Sequence, residues 1–132
     1  MKPFEINVLN YHLDGYGHVN NARYLEFLEA ARWDFFRQQA MRDTLREANL
    51  VVAQMTICYR QAARLDDVLR VESAVTAAQS RQIVISQKIV NANTEAICAT
   101  AEVILMPTDE SGRVFRLPEN IREKFFQIIE IK

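Results

Sequence analysis

The 132-residue sequence predicts an α+β fold in which one antiparallel β-sheet packs against one long helix. Two observations support this prediction. Apolar side chains recur at helical spacing in residues 21–39, and from residue 50 the apolar period changes to two, which is typical of half-buried strands. Such a sheet has one apolar face, and the long helix is the element available to cover it. No internal repeat or linker interrupts the sequence, so we expect one domain over residues 1–132.

The N-terminal third of the chain predicts a strand followed by two helices. Residues 4–10 alternate and predict the first strand, and residues 41–48 predict a short second helix. Asn20 or Asn21 is the expected N-cap of the long helix, because its side-chain oxygen can accept from the first turn. Glu29 and Arg32, three residues apart, are expected to pair on the helix surface. The expected packing residues of this helix are Tyr24, Phe27, Leu28, Ala31, Trp33 and Phe35.

The rest of the chain predicts four long strands in an antiparallel meander, because only short gaps separate them. Residues 113–117 predict a short last strand, and Pro118 opens a C-terminal helix with Ile121, Phe125 and Ile128 on one face. One helix cannot cover the whole sheet and its edges, which favours a dimer. The apolar faces expected for the four strands are Val51, Ala53, Met55, Ile57 and Tyr59; Leu69, Val71, Ser73 and Val75; Ile83, Ile85 and Ile89; and Ile97, Ala99, Ala101, Val103 and Leu105.

Composition and charge argue against several classes of protein. Sixteen Lys and Arg against seventeen Asp and Glu give a net charge of −1, so no basic excess is available for nucleic-acid phosphates. No stretch approaches the roughly 18 apolar residues of a membrane span, and we expect no secretory signal. Cys58 and Cys98 lie in strand-like runs and are expected to be buried free thiols, which fits a reducing cytoplasm. Two His and two scattered Cys predict no metal site.

The segment from Asp14 to Tyr24 contains the residues best suited to catalysis. It places one carboxylate, one imidazole, two glycines and two asparagines in a tight turn immediately before the long helix. Unpaired N–H groups at a helix N-terminus can hold a developing negative charge. An acid and a His beside such donors are the parts of a hydrolytic site.

The residues of this turn also have structural interpretations. Asp14 can satisfy backbone amides of the turn, or it can act as a general base for water or as a nucleophile. His18 can be a structural hydrogen bonder, or it can orient and help to deprotonate water. Gly17, like Gly15, supplies the turn or allows the backbone to approach a ligand closely.

Two segments resemble a known family. The first is Asp14-x-x-Gly17-His18-Val19-Asn20-Asn21-x-x-Tyr24, followed by Phe27, Glu29 and Arg32, which resembles the signature of hotdog-fold acyl-CoA thioesterases. Within that fold it is similar to the 4-hydroxybenzoyl-CoA thioesterase-like group, which includes bacterial long-chain acyl-CoA thioesterases. The second segment, residues 59–69, is similar to another common segment of the family, with Ala62 where the family usually has Pro. The resemblance covers nearly the whole chain.

The resemblance implies a hotdog fold, with a long helix wrapped by the antiparallel sheet, and an enzyme that hydrolyses fatty acyl-CoA. The apolar helix face of Tyr24, Phe27, Leu28 and Phe35 beside the expected site predicts a preference for medium-to-long acyl chains. Asp14 and His18 would be catalytic, and the backbone N–H of Asn21 would form the oxyanion hole. No cofactor or metal is implied, since CoA is part of the substrate, and the site would lie between subunits of a homodimer or homotetramer. The residues expected to contact the substrate are Tyr16, Gly17, Tyr24, Arg60 and Arg64, with Tyr24 lining an acyl tunnel and the two arginines either meeting the phosphates of CoA or remaining solvated.

Two alternatives remain open at this point. The His-Val-Asn-Asn run also looks like plant acyl-ACP thioesterases, whose motif reads Asp-x-Asn-x-His, but Tyr16 stands here in place of the Asn. An acidic carrier protein needs a basic patch, and the neutral charge balance of this chain favours CoA. The second alternative is a non-catalytic acyl-binding module on the same fold, against which the presence of both Asp14 and His18 argues. A dehydratase of this fold is disfavoured because no His-Phe-Pro-type motif opens the helix.

Overall fold

The computed structural model describes residues 2–129, which form five strands and three α-helices. The predicted helix of residues 21–39 is confirmed as α1, and the predicted short helix is confirmed as α2. A single 3₁₀ turn, Asn10–His12, precedes the Asp14 segment. In chain order the elements are β1 (Phe4–Asn7), α1 (Asn21–Gln38), α2 (Arg42–Ala48), β2 (Leu50–Tyr59), β3 (Val68–Ala78), β4 (Ile83–Asn91), β5 (Ile97–Pro107) and α3 (Glu119–Gln127).

The five strands form one antiparallel sheet in the order β1-β3-β4-β5-β2. The meander prediction is therefore correct for β3, β4 and β5 only. β2 does not pair with β3, its neighbour in sequence, but lies at the far edge of the sheet and pairs with β5. Local gap lengths could not reveal this crossing, because residues 60–67 are long enough to carry the chain from one edge of the sheet towards the other.

The helix α1 lies against the apolar face of the sheet, as predicted. Five of its six expected packing residues are at most 6% exposed, and Phe36 joins them. The exception is Trp33, which is 42% exposed and lies beside the edge strand β2. On the sheet, the predicted faces of β3 and β4 are confirmed, with Leu69, Val75, Ile83, Ile85 and Ile89 completely buried. The period-two and helical patterns thus identified the surfaces that pack against each other.

The prediction for β2 was wrong in part, because a β-bulge interrupts its alternation. The pairing with β5 shifts between Val52 and Gln54, so one extra residue is inserted and the strand faces switch. Leu50 and Val52, rather than Val51, therefore share a face with Met55 and Ile57. Because β2 is also an edge strand, Val51 and Tyr59 are 42% and 45% exposed.

Several smaller predictions also needed correction. The first strand ends at Asn7 rather than residue 10, and residues 113–117 contribute only a single bridge, between Thr108 and Val114, instead of a strand. Ile97, at the start of β5, is exposed. Cys98 is a buried free thiol as predicted, but Cys58 is exposed because it lies on the outer side of the edge strand β2.

The pair Glu29–Arg32 on α1 is not the expected surface ion pair. Arg32 is only 8% exposed, and its Nη1 donates to Oε1 of Gln87 on β4 at 3.1 Å. Gln87 in turn donates from Nε2 to the carbonyl oxygen of Leu28 at 3.0 Å and to Oγ of Ser73 at 3.1 Å. This buried polar network fixes α1 on the sheet through residues of β3 and β4.

Candidate active site

The start of α1 and the end of β2 enclose a cleft of about 180 Å³. The cleft is open to solvent on one side and combines polar and aromatic side chains. It brings together five of the residues predicted for the site: Asp14, His18, Asn21, Tyr24 and Arg60. Four further residues line it: Val19, Tyr59, Gln61 and Ala62.

One oxygen of Asp14 builds the turn before the helix. Asp14 Oδ1 accepts from the backbone N–H of Tyr16 at 2.8 Å and from that of His18 at 3.1 Å, while its own N–H donates to the carbonyl oxygen of His18 at 2.7 Å. The structural interpretation of Asp14 is thus correct for one oxygen. Within residues 2–129, Oδ2 makes no hydrogen bond, so the carboxylate retains an acceptor for water or substrate.

The helix begins with an unpaired donor beside this carboxylate. Asn20 is the N-cap, since its Oδ1 accepts from the N–H of Ala22 at 2.9 Å. The N–H of Asn21 donates to no group among residues 2–129, as expected at the first position of a helix. An unpaired N–H of this kind, reinforced by the positive end of the helix dipole, can stabilise an oxyanion.

Hydrogen bonds between segments that are far apart in the chain hold the walls of the cleft together. Tyr59 Oη donates to the carbonyl oxygen of Asn21 at 3.2 Å, and Tyr24 Oη accepts from the N–H of Ala63 at 3.0 Å. The two tyrosine rings lie 5.4 Å apart. Burial raises the pKa of Tyr24, so its phenol stays protonated at neutral pH. These bonds tie the helix start to β2 and to the segment that follows it.

His12 supports the turn through two hydrogen bonds. Its Nδ1 accepts from the N–H of Leu9 at 2.9 Å, which requires a ring without a proton on that nitrogen, and its carbonyl oxygen accepts from the N–H of Asn20 at 2.9 Å. The ring packs edge-on against Phe27. Burial first, and the nearby Arg23 second, lower the pKa of His12, which favours this neutral form.

Three predicted substrate contacts do not line the cleft. Tyr16 is 86% exposed and Gly17 shapes the turn with φ +78°, which only glycine adopts readily. Arg64 forms a backbone bridge with His18, but its exposed side chain lies outside the cleft. All three are close to Asp14 and His18 in sequence or in backbone pairing, but none of them lines the cleft.

Tyr59 and His12 are the residues that the sequence analysis missed as parts of the site. The sequence pattern places Tyr59 only on a strand face, because nothing in its neighbourhood indicates contact with a helix start 38 residues earlier. For His12, the available signal was its position two residues before Asp14.

The structure offers no metal site in the part of the chain that it describes. Among residues 2–129, no three His, Cys, Asp or Glu side chains are close enough together to hold a metal ion. No helix in that range is long and apolar enough to cross a membrane.

Solved structures share this architecture. A probable thioesterase from Escherichia coli, YbaW, is 34% identical and superposes with a TM-score of 0.85 over 97% of this chain and 98% of its own. A thioesterase from Thermus thermophilus, solved in complex with coenzyme A and Zn, is 28% identical with a TM-score of 0.82 over 96% and 92% of the two chains. The five-stranded sheet around α1 is thus the hotdog fold, the class of protein that the resemblance implied.

The sequence comparisons give the family. The model of the thioesterase-like superfamily matches residues 8–125, which include the whole cleft. The long-chain acyl-CoA thioesterase FadM of Escherichia coli K12 is 35% identical over 129 residues, covering 96% of this chain and 98% of its own. The chain belongs to the thioesterase-like superfamily, and it is a thioester hydrolase.

Proposed function

We propose that this protein hydrolyses fatty acyl-CoA to a free fatty acid and CoA. The observation that carries the proposal is the cleft itself, where a carboxylate oxygen of Asp14 and the N–H of Asn21 are both unpaired among the described residues. The names of two similar proteins support CoA as the carrier and a fatty acyl group as the substrate. One is a long-chain acyl-CoA thioesterase, and the other is a thioesterase complexed with coenzyme A.

In the proposed mechanism, Asp14 Oδ2 accepts a proton from water as the water oxygen attacks the thioester carbonyl carbon. The carbonyl oxygen becomes negative and accepts a hydrogen bond from the N–H of Asn21, an interaction worth roughly 3–4 kcal/mol in comparable sites. The C–S bond then breaks, and the leaving CoA thiolate takes the proton from Asp14. In the alternative route, Oδ2 attacks the carbonyl carbon, CoA leaves, and water hydrolyses the resulting mixed anhydride.

The remaining predicted residues take supporting roles in this proposal. His18 orients the water, and Tyr24 and Tyr59 form the wall against which the first carbons of the acyl chain lie. Arg60, exposed at the cleft, meets a phosphate of CoA. Arg64, Tyr16 and Gly17 lie outside the cleft, so any contact they make is with the outer part of CoA.

The proposed preference is for medium-to-long aliphatic chains, but the support for it differs from the sequence argument. Phe27, Leu28 and Phe35 are buried against the sheet and leave no room for an acyl chain. A second cavity of about 290 Å³ lies between α1 and β2, further along the helix from Asn21. An acyl chain that reached this cavity from the cleft would gain roughly 0.8 kcal/mol for each methylene buried there.

A hydrolysis panel tests the function. We expect kcat/KM to rise from acetyl-CoA through octanoyl-CoA to palmitoyl-CoA, measured with a thiol-trapping dye, because binding that persists in the transition state increases kcat/KM. Benzoyl-CoA and palmitoyl-ACP are the controls for an aromatic acyl group and for a protein carrier. A maximum of kcat/KM at acetyl-CoA or benzoyl-CoA would refute the preference for longer aliphatic chains. Faster hydrolysis of palmitoyl-ACP than of palmitoyl-CoA would refute CoA as the carrier. If no substrate is hydrolysed, the function is that of a non-catalytic acyl-binding module.

We further propose that the protein works as a homodimer, or as a tetramer of such dimers, in the cytoplasm. β2 pairs with β5 on one side only, and exposed apolar side chains lie along it and on the adjacent face of α1: Leu25, Trp33, Val51 and Val52. A second copy that added its own β2 would continue the sheet and cover these side chains. The exposed thiol of Cys58 suits a reducing compartment.

A further inference from the structure

The two tyrosines of the candidate active-site cleft use their hydroxyl groups in opposite ways. Tyr59 Oη donates its hydrogen to the carbonyl oxygen of Asn21 at 3.2 Å, so this hydrogen is engaged at the helix start. Tyr24 Oη instead accepts from the N–H of Ala63 at 3.0 Å, and its own hydrogen has no acceptor among residues 2–129. Of the two hydroxyl groups, only that of Tyr24 therefore keeps a free donor.

The hydroxyl end of Tyr24 belongs to the wall of the cleft. It accepts from Ala63, which directly follows Gln61 and Ala62, and these two residues line the cleft together with Tyr24. The ring of Tyr24 lies 5.4 Å from the ring of Tyr59, another lining residue. The free donor thus lies where the helix start meets the segment that follows β2.

Burial distinguishes this donor from other side-chain donors of the cleft. Tyr24 is 2% exposed, whereas Asn21, Arg60 and Gln61 are exposed to water. Burial also raises the pKa of Tyr24, so the hydroxyl keeps its hydrogen. A fixed donor shielded from water needs no reorganisation when negative charge develops beside it, and it acts more strongly than a hydrated one.

We propose that the Tyr24 hydroxyl donates to the carbonyl oxygen of the bound thioester and is the second donor of the oxyanion hole, beside the N–H of Asn21. This inference rests on the proposed function, because it concerns the same thioester. As the carbonyl carbon is attacked, its oxygen becomes negative and accepts from both donors. Each donor keeps its hydrogen, so Tyr24 stabilises charge and transfers no proton. It is a catalytic residue because it contacts a reacting atom.

Steady-state hydrolysis of palmitoyl-CoA tests this role with a matched pair of variants. Tyr24→Phe removes the free donor, and we expect kcat to fall roughly 10²-fold while KM changes less than about threefold. Tyr59→Phe removes a hydroxyl group whose hydrogen is already engaged, so its kcat should fall less than about tenfold. Equal losses of kcat in the two variants, or a kcat of Tyr24→Phe within about threefold of the wild type, would overturn the proposal.

A spectroscopic measurement makes the test independent of turnover. In Asp14→Asn, the stretching band of an isotope-labelled thioester carbonyl in bound palmitoyl-CoA reports the donors on its oxygen. Adding Tyr24→Phe should move this band to higher frequency, because the lost hydrogen bond no longer weakens the C=O bond, whereas adding Tyr59→Phe should leave it in place. An unchanged band after Tyr24→Phe contradicts the proposal. If the wild type hydrolyses no acyl-CoA but the band moves as expected, the proposed function fails and the donation by Tyr24 is still supported.

A second variant covers the structural cost of the first. Tyr24→Phe leaves the N–H of Ala63 without its acceptor, so circular dichroism and urea unfolding accompany each measurement. If Tyr24→Phe fails to fold, ring-fluorinated tyrosine at position 24 replaces it, because its more acidic hydroxyl keeps the bond from Ala63 and donates more strongly. The carbonyl band in Asp14→Asn should then move to lower frequency, and the same replacement at position 59 should not move it. An unmoved band with the replacement at position 24 would overturn the proposal.

Discussion

Two cavities along α1 are built in different ways. At the start of the helix, a backbone N–H lies beside a carboxylate, so the candidate active-site cleft is formed largely by turn geometry and main-chain groups. About three helical turns later, the second cavity is lined by mostly apolar side chains, with the buried Arg32 among them. The first cavity contains groups of the kind that hydrolysis needs, whereas the second offers mainly an apolar surface.

The largest effect that separates the two cavities is expected from Asp14→Asn, which changes the cleft alone. The amide keeps an acceptor at Oδ1 for the N–H groups of Tyr16 and His18 but cannot take a proton or attack, so kcat should fall by roughly 10²- to 10⁴-fold. Steady-state hydrolysis of palmitoyl-CoA measures this, with circular dichroism as the control for folding. Asp14→Ala should lose activity and also destabilise the fold, because both turn bonds disappear. Activity of Asp14→Asn within about threefold of the wild type would refute a catalytic Asp14.

The buried network around Arg32 and Gln87 should affect stability instead. Gln87→Met removes the acceptor of Arg32 and the bonds to Leu28 and Ser73, so we expect the free energy of unfolding to fall by about 1–3 kcal/mol. Urea unfolding measures the change. The matched control is Gln82→Met on the loop before β4, which is partly exposed and lacks this network, and it should be close to neutral. Equal stability of the two variants would show that the network does not fix α1.

Assembly affects both cavities, because β2 borders each of them. Val51→Lys places a charge on the exposed edge strand and should shift the protein from a dimer to a 15.3 kDa monomer in sedimentation experiments. Glu47→Lys, an exposed change on α2, is the charge control and should remain dimeric. If the wild type is itself monomeric at micromolar concentration, pairing through β2 is wrong.

The smallest expected effect is a pH dependence of stability, and it comes from His12 beside the turn before α1. The folded-state pKa of His12 lies below its unfolded value of 6.5, so the unfolded chain binds the extra proton first. The stability contributed by His12 is therefore complete above pH 6.5 and decreases as the pH falls through the folded-state pKa. We expect melting temperatures to decrease below pH 6.5 less in His12→Asn, whose Oδ1 can still accept from Leu9, than in the wild type. Identical profiles would exclude His12 as the titrating group.

The sequence predicted the fold well where burial alone decides structure. The apolar stripe from Tyr24 to Phe35 has the helical period, and the inward residues of β3 and β4 have the strand period, because these surfaces are covered in the final fold. The sequence prediction failed for β2, because the bulge between Val52 and Gln54 exchanges the two faces of the strand. It also failed for the strand order, because pairing between strands far apart in the chain is not visible in the local sequence.

The same distinction between local and long-range structure applies to the candidate site. Asp14, His18 and Asn21 could be selected from sequence because the turn and the helix start are local structures, with backbone donors that follow from chain geometry. Tyr59 could not, because its bond to Asn21 joins residues 38 positions apart. The resemblance implied substrate contacts for Tyr16, Gly17 and Arg64, but none of the three lines the cleft, because a shared motif does not determine which of its residues face a cavity.

By itself, the sequence determined the helix and most of the strands, the turn that carries Asp14 and His18, and the family to which these belong, because each depends on residues close together in the chain. Only the tertiary structure decided that β2 lies at the edge beside β5, that Arg32 is buried instead of solvated, and that Tyr59 bonds to the start of α1. The physical reason is that a side chain's burial and partners depend on which distant segments pack over it, and one register shift or strand crossing changes them all.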